Sequence, residues 1–147
     1  MEALVKPIRL TDEITRVRGW MKESEKADHL PVNIWGLSKN VRPLIVESLR
    51  NDNLFTLVIT YDDARAEKLY EDYRFYDRDV YLYPAKDALF YYADVHGNLT
   101  SARRLEILKR IYKNERTVII TTIDGIMDKL PDMQYFKRHS FELTVGQ

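Results

Sequence analysis

Apolar positions along the chain recur at two periods, and the alternation between them outlines a fold. From Thr11 to about Lys26, TDEITRVRGWMKESEK places Ile14, Val17, Trp20 and Met21 on one helical face, with Asp12 and Glu13 in a first turn that the helix dipole favours. The ten residues before it read as a loosely held lead-in, and Leu30-Pro31 closes the region. VNIW (Val32–Trp35) then reads as a strand. A helix follows from Arg42 to about Arg50, with Pro43 in the first turn, where its missing N–H costs nothing. LFTLVIT (Leu54–Thr60) is a continuous apolar run of strand length, a pattern suited to burial on both faces.

The alternation continues. DDARAEKLYEDY (Asp62–Tyr73) spaces Ala66, Leu69, Tyr70 and Tyr73 as one helical stripe. DVYLYP (Asp79–Pro84) is a third strand, and the connection Pro84–Asn98 carries Phe90, Tyr91 and Tyr92. TSARRLEILKRIYK (Thr100–Lys113) is a helix lined by Leu105, Leu108, Ile111 and Tyr112. TVIITT (Thr117–Thr122) is the fourth strand, and Thr121-x-x-Asp124 has the form of a capping box opening a short helix to Leu130. SFELTV (Ser140–Val145) alternates like an edge strand. Strands alternating with helices predict an α/β sandwich in three layers with a mainly parallel sheet, built by right-handed crossovers. The stop directly after a strand reads as an internal cut in a longer protein.

Composition narrows the chemistry. The 147 residues suffice for one compact core. Lys+Arg and Asp+Glu number 23 each, so no global field draws the chain to DNA or to an anionic membrane. The absence of cysteine excludes disulfides, thiolate catalysis and Cys-based zinc sites. No stretch reaches the roughly 18 apolar residues of a membrane span, and the acidic N-terminus is unlike a signal peptide, so a cytoplasmic protein is expected. His29, His96 and His139 are scattered without carboxylates at ligand spacing, which predicts no metal site.

The junction NIWGLSKNVRP (Asn33–Pro43) sits where a phosphate-binding loop would. Such a loop, G-x-x-x-x-G-K-[ST], needs a second Gly to curl its backbone around phosphate, a Lys on the terminal phosphates and a hydroxyl on magnesium. In that register Gly36 is followed by Val41 for the second Gly, Arg42 for the Lys and Pro43 for the Ser/Thr. Val41 brings a β-branched Cβ to a position that wants positive φ, Pro43 lacks both hydroxyl and N–H, and Arg42 keeps the charge in another geometry. Lys39 lies in mid-loop rather than on the helix. Asp124 falls two residues past TVIITT, where a helix-start carboxylate fits better than a magnesium-binding acid. The loop is a degenerate P-loop that predicts no bound nucleotide cofactor and no catalysis.

The unit from Val32 through GLSKNVRP, then LVITYDDARAEKLYEDY, VYLYPAKDALFYYADVHGN, SARRLEILKRI and TVIITTIDGIMDKLP…FELTVGQ, resembles in order and spacing the N-terminal part of bacterial transcription-repair coupling factors. That part is similar to the excision-repair protein UvrB, whose first RecA-like domain is interrupted by an inserted UvrA-binding domain. The resemblance implies a RecA-like subdomain over 31–147, preceded by a helical lead-in over 1–30 and cut before the UvrA-binding domain. It also implies a non-catalytic scaffold that supports UvrA recruitment through the adjoining domain and restrains the downstream ATP-dependent DNA translocase. RNA polymerase and DNA would be met through the parent protein. A divergent ATP-binding domain of a repair ATPase is the alternative. The Tyr-rich segment here leaves no room for the strand-separating hairpin of UvrB, so that role does not carry over to Tyr91 and Tyr92.

Phe90, Tyr91 and Tyr92 fit packing over the sheet edge better than base stacking. Gly97, in HGN, fits a turn. Arg103, Arg104, Lys109, Arg110 and Lys113 make a basic helix. It reads either as a solvated face with favourable C-terminal charge or as a patch for nucleic acid or an acidic partner.

Overall fold

The computed structural model describes residues 2–23, 31–50, 55–85 and 94–130, with Asp132, Gln134, Tyr135 and Arg138; for Glu2, Glu23 and 94–98 it describes the backbone alone. Among these residues three strands, β1 (Thr56–Thr60), β2 (Val80–Tyr83) and β3 (Val118–Thr122), form an all-parallel sheet in the spatial order β1-β3-β2. β3 takes the centre because every one of its residues, Val-Ile-Ile-Thr-Thr, is suited to burial on a pleated surface, and all are buried. Val58 and Leu82 both pair with Ile120, and Leu57 and Tyr81 with Ile119. With a side-chain period of two, these rows point to opposite faces.

Helices cover both faces. On one, α4 (Asp63–Tyr73) buries Ala66 and Tyr73 against Val80, Val118 and Ile120, and Val46 of α3 (Arg42–Leu49) joins the cluster. On the other, α5 (Asp94–Tyr112) sets Ile107 and Leu108 on Tyr83 and Ile119. The result is the expected three-layer α/β arrangement, consistent with a RecA-like layout. α1 (Glu2–Arg9) and α2 (Asp12–Glu23) pack on α3, burying Val5 and Ile14.

Local signals set the helix ends. Asp62 Oδ1 accepts the N–H of Arg65 at 2.6 Å and caps α4. α5 closes with Asn114 at φ 53°. There the N–H of Glu115 donates to the Arg110 carbonyl and that of Asn114 to the Ile111 carbonyl, each at 3.0 Å, a Schellman closure.

Several expectations fail, each for a physical reason. The first ten residues are not a loose lead-in: α1 is held by buried Val5 and by Arg9 Nη2, which donates to the Glu47 carbonyl of α3 at 3.1 Å. Val32–Trp35 has no regular secondary structure and pairs with no strand among the described residues, and Trp35 is 86% exposed. An apolar run supplies β propensity, not a neighbour to pair with. β1 is not buried on both faces. Leu57 and Ile59 are 45% and 47% exposed, because α5 lies toward the β2 side of the sheet and β1 is its edge among the described residues. Trp20 and Met21 stay exposed on α2.

α5 begins at Asp94 rather than Thr100, so Gly97 lies within a helix and not in a turn. Its inward stripe is Arg104, Ile107, Leu108 and Ile111, which leaves Leu105 exposed. The cap of α6 (Ile123–Met127) is Thr122, whose Oγ1 accepts the Gly125 N–H at 3.3 Å. Thr121 Oγ1 instead donates to the Tyr83 carbonyl at 2.9 Å. The predicted strand Ser140–Val145 and Phe90, Tyr91 and Tyr92 lie outside the described residues. Among those described, no helix is long and apolar enough to cross a membrane.

A charge cluster lies at the end of the sheet where the strands begin. Glu47, buried in α3, accepts hydrogen bonds from Tyr73 Oη at 2.6 Å and Arg50 Nη1 at 2.9 Å, with Arg116 Nη2 at 3.6 Å and Arg9 Nη2 at 3.7 Å. Asp77 is hydrogen-bonded to Arg50 and lies 3.7 Å from Arg116 Nη2. Burial opposes the charge of Arg50, but its bonds to Glu47 and Asp77 outweigh that and raise its pKa further. Burial, then the bond to Glu47, raises the Tyr73 phenol far above its ordinary value. The cluster ties α1, α3, α4 and the start of β3 together.

Candidate functional site: the loop before α3 and its cleft

The stretch Gly36–Pro43 does not form a phosphate nest. Gly36 sits at φ +80°, a left-handed turn that glycine takes without strain. After it the chain straightens at Ser38 (φ −65°, ψ 154°) and winds into a 3-10 turn over Lys39–Val41. Val41 adopts φ −88°, ψ −19°, and its N–H donates to the Ser38 carbonyl at 3.2 Å. A nest requires successive N–H groups converging on one anion. Here the Val41 N–H is already taken up, and Pro43, buried in the first turn of α3, has none to offer. The β-branched residue at the second Gly position is accommodated by abandoning the curl.

The turn instead carries Lys39 and Arg42 to the wall of a cleft of about 320 Å³ against α4. Thr60, at the end of β1, and Leu69 form part of its lining. Arg65 and Lys68 of α4 face it, with Asp62 and Asp72. Both carboxylates have partners: Asp62 caps α4, and Asp72 Oδ1 holds Lys68 Nζ at 3.0 Å. The Arg65 guanidinium lies 4.5 Å from the centre of the Tyr61 ring. Among the described residues, no carboxylate is paired with Lys39 or Arg42.

Lys39, Arg65 and Lys68 were not singled out in the sequence as site residues. Arg65 and Lys68 lie 26 and 29 positions after Lys39, so only the packing of α3 and the turn before it on α4 brings all three together. The one local trace is the i,i+3 spacing of Arg65 and Lys68, which puts both on one helical face.

The five basic residues Arg103, Arg104, Lys109 and Arg110 of α5 and Lys113 just past its end do not share one surface. Arg104 is buried, with Nη1 2.8 Å from Asp128 Oδ2 and 3.0 Å from the Pro84 carbonyl it bonds, and it stacks over Tyr83 at 4.5 Å. Arg110 binds Glu115 at 2.9 Å and lies over Tyr81 at 4.5 Å. Arg103, Lys109 and Lys113 are exposed. Asp124 is exposed in the first turn of α6. His29, His139 and the His96 side chain lie outside the described residues. Among those described, no group of three His, Cys, Asp or Glu is placed to hold a metal ion.

No family profile and no solved structure matches the chain. Curated proteins do. It is 26% identical over 114 residues, 76% of its length, to the transcription-repair-coupling factor of Bacillus subtilis. It is 24% identical over 146 residues, 97% of its length, to that of Staphylococcus haemolyticus. The chain is homologous to transcription-repair-coupling factors. The homology is weak in identity but consistent across relatives, the Staphylococcus epidermidis protein matching at 26% over 117 residues. The chain covers 10% and 12% of the first two relatives, about a tenth of a transcription-repair-coupling factor.

Proposed function

We propose that this chain is a non-catalytic scaffold subdomain of a transcription-coupled repair factor. In this reading residues 31–147 are a degenerate RecA-like body with 1–30 as its helical lead-in. The subdomain supports an adjoining UvrA-recruiting domain and packs against a downstream ATP-dependent DNA translocase to restrain it. DNA and RNA polymerase are met through the parent protein, in the cytoplasm.

The observation that carries the reading is the loop at Gly36–Pro43. Phosphoryl transfer depends on positioning and charge stabilisation by the backbone cradle, the Lys and a magnesium ligand. The 3-10 turn removes the cradle, Arg42 stands for the Lys, and Pro43 supplies no hydroxyl. Homology to transcription-repair-coupling factors supplies the cellular context.

The test is titration of the purified chain with a fluorescent ATP analogue at physiological salt, with and without magnesium, and with Arg42→Ala as control. The expected result is no saturable binding below the millimolar range and no turnover. Tight, magnesium-dependent binding that disappears in Arg42→Ala would overturn the reading in favour of a divergent ATP-binding domain.

A further inference from the structure

We infer that the cleft between the 3-10 turn and α4 binds the phosphodiester backbone of a single-stranded nucleic acid. The inference goes beyond the scaffold reading and does not rest on it. A chain with no net charge has here concentrated four basic side chains, Lys39, Arg42, Arg65 and Lys68, against two carboxylates. Those carboxylates are engaged, Asp62 as a helix cap and Asp72 with Lys68. Three cations, Lys39, Arg42 and Arg65, therefore face the cleft without a carboxylate of their own among the described residues. They lie on a concave wall, where low-dielectric surroundings strengthen attraction for an anion.

The choice of a single strand comes from the aromatic beside the cations. Tyr61 is 65% exposed at the end of β1, with Arg65 over one face of its ring. Grooves that hold single strands combine cations tracking the phosphates with aromatic rings on which unpaired bases stack. Paired, stacked bases in a duplex offer no such face. A mononucleotide is disfavoured, because the Val41 N–H is bonded within the turn and Pro43 has none, so the backbone cannot cradle a terminal phosphate. A strand needs only point charges at successive phosphates, which Lys and Arg provide.

The experiment is fluorescence anisotropy of a labelled twelve-residue oligothymidylate with the 147-residue chain, over a salt series starting near 20 mM. Three phosphate contacts predict a log–log salt slope of about −2, at roughly 0.7 per contact. Lys39→Ala with Arg42→Ala lowers the slope to about −0.7 and weakens binding about tenfold or more at low salt. Tyr61→Ala weakens binding about tenfold with the slope unchanged, because stacking releases no counterions. These side chains are exposed, and thermal melts by circular dichroism check that each variant folds. Arg103→Ala on α5 is the basic-surface control and leaves both quantities unchanged. The inference is overturned if the double variant binds like the parent, if a duplex of equal length binds as tightly, or if polyglutamate of equal charge competes equally. The last outcome would make the cleft a dock for an acidic protein.

Discussion

At the scale of single residues, the groups that matter most differ from those that stand out in the sequence. Gly36, Val41, Arg42 and Pro43 were legible because a P-loop specifies residue types at fixed spacing, so each departure has a chemical meaning of its own. Glu47 and Arg50 were not. Nothing local in the sequence separates them from an exposed i,i+3 pair, and it is packing against α1, α4 and the start of β3 that buries them. Asp77 makes this cluster testable. Burial alone would raise its pKa, but the N–H of Asp79 at 3.0 Å and the charges of Arg50 and Arg116 outweigh it and lower the pKa below the ordinary value. A carboxyl depressed in the folded state stabilises the fold above its unfolded pKa, near 3.9, and loses that contribution as pH falls through its lower folded value. Asp77→Asn should therefore cost about 1–3 kcal/mol at pH 7, since it leaves Arg50 less compensated. Urea denaturation at pH 7, 5 and 3 checks this. The gap between parent and variant should hold from pH 7 to 5 and close below about 4, whereas a gap constant down to pH 3 would mean that charge is not its source.

At the scale of elements, periodicity located the helices and strands that complete a core stripe, and it failed where an element depends on a partner. α4 was legible because its stripe is uninterrupted and Asp62 marks its start. β3 was legible because five consecutive residues suited to burial on a pleated surface have one obvious home. α1 was missed because eight residues with a Pro inside carry little helical signal of their own; it persists through packing on α3. Val32–Trp35 was over-read, since an apolar run becomes a strand only beside another. The cap of α6 was misplaced by one residue because two threonines stand in succession, and only the structure shows which hydroxyl faces the helix. That arrangement yields a prediction. Thr121 Oγ1 is fixed by its bond to the Tyr83 carbonyl, and a Cβ at Gly125 would collide with it. Gly125→Ala should then destabilise the chain by about 1–3 kcal/mol although alanine is the better helix former. Thermal denaturation measures it, and adding Thr121→Ser, which keeps a hydroxyl in the same space, should not relieve the loss. Adding Thr121→Ala should recover part of it.

At the scale of the whole molecule, the layers are unequal. The face of the sheet under α4 is continuous from β1 across β3 to β2, through Val58, Ile120 and Leu82. The opposite face is covered over β3 and β2 by α5, while on β1 Leu57 and Ile59 remain about half open. Sequence could not distinguish these cases, because Leu57, Val58 and Ile59 are alike in being apolar and burial is decided by where the next helix lies. Energetics can. Ile120→Ala removes fully buried methyl groups from the central strand and should cost about 2–5 kcal/mol. Ile59→Thr keeps a β-branched residue on an edge strand at a half-open position and should cost about 1 kcal/mol or less. The comparison is made by urea denaturation of both variants over a range of protein concentrations. If Ile59→Thr proves as costly as Ile120→Ala, that face is covered in solution. A loss that grows with protein concentration would then assign the cover to a second copy, and one independent of concentration would assign it to residues of the same chain outside those described.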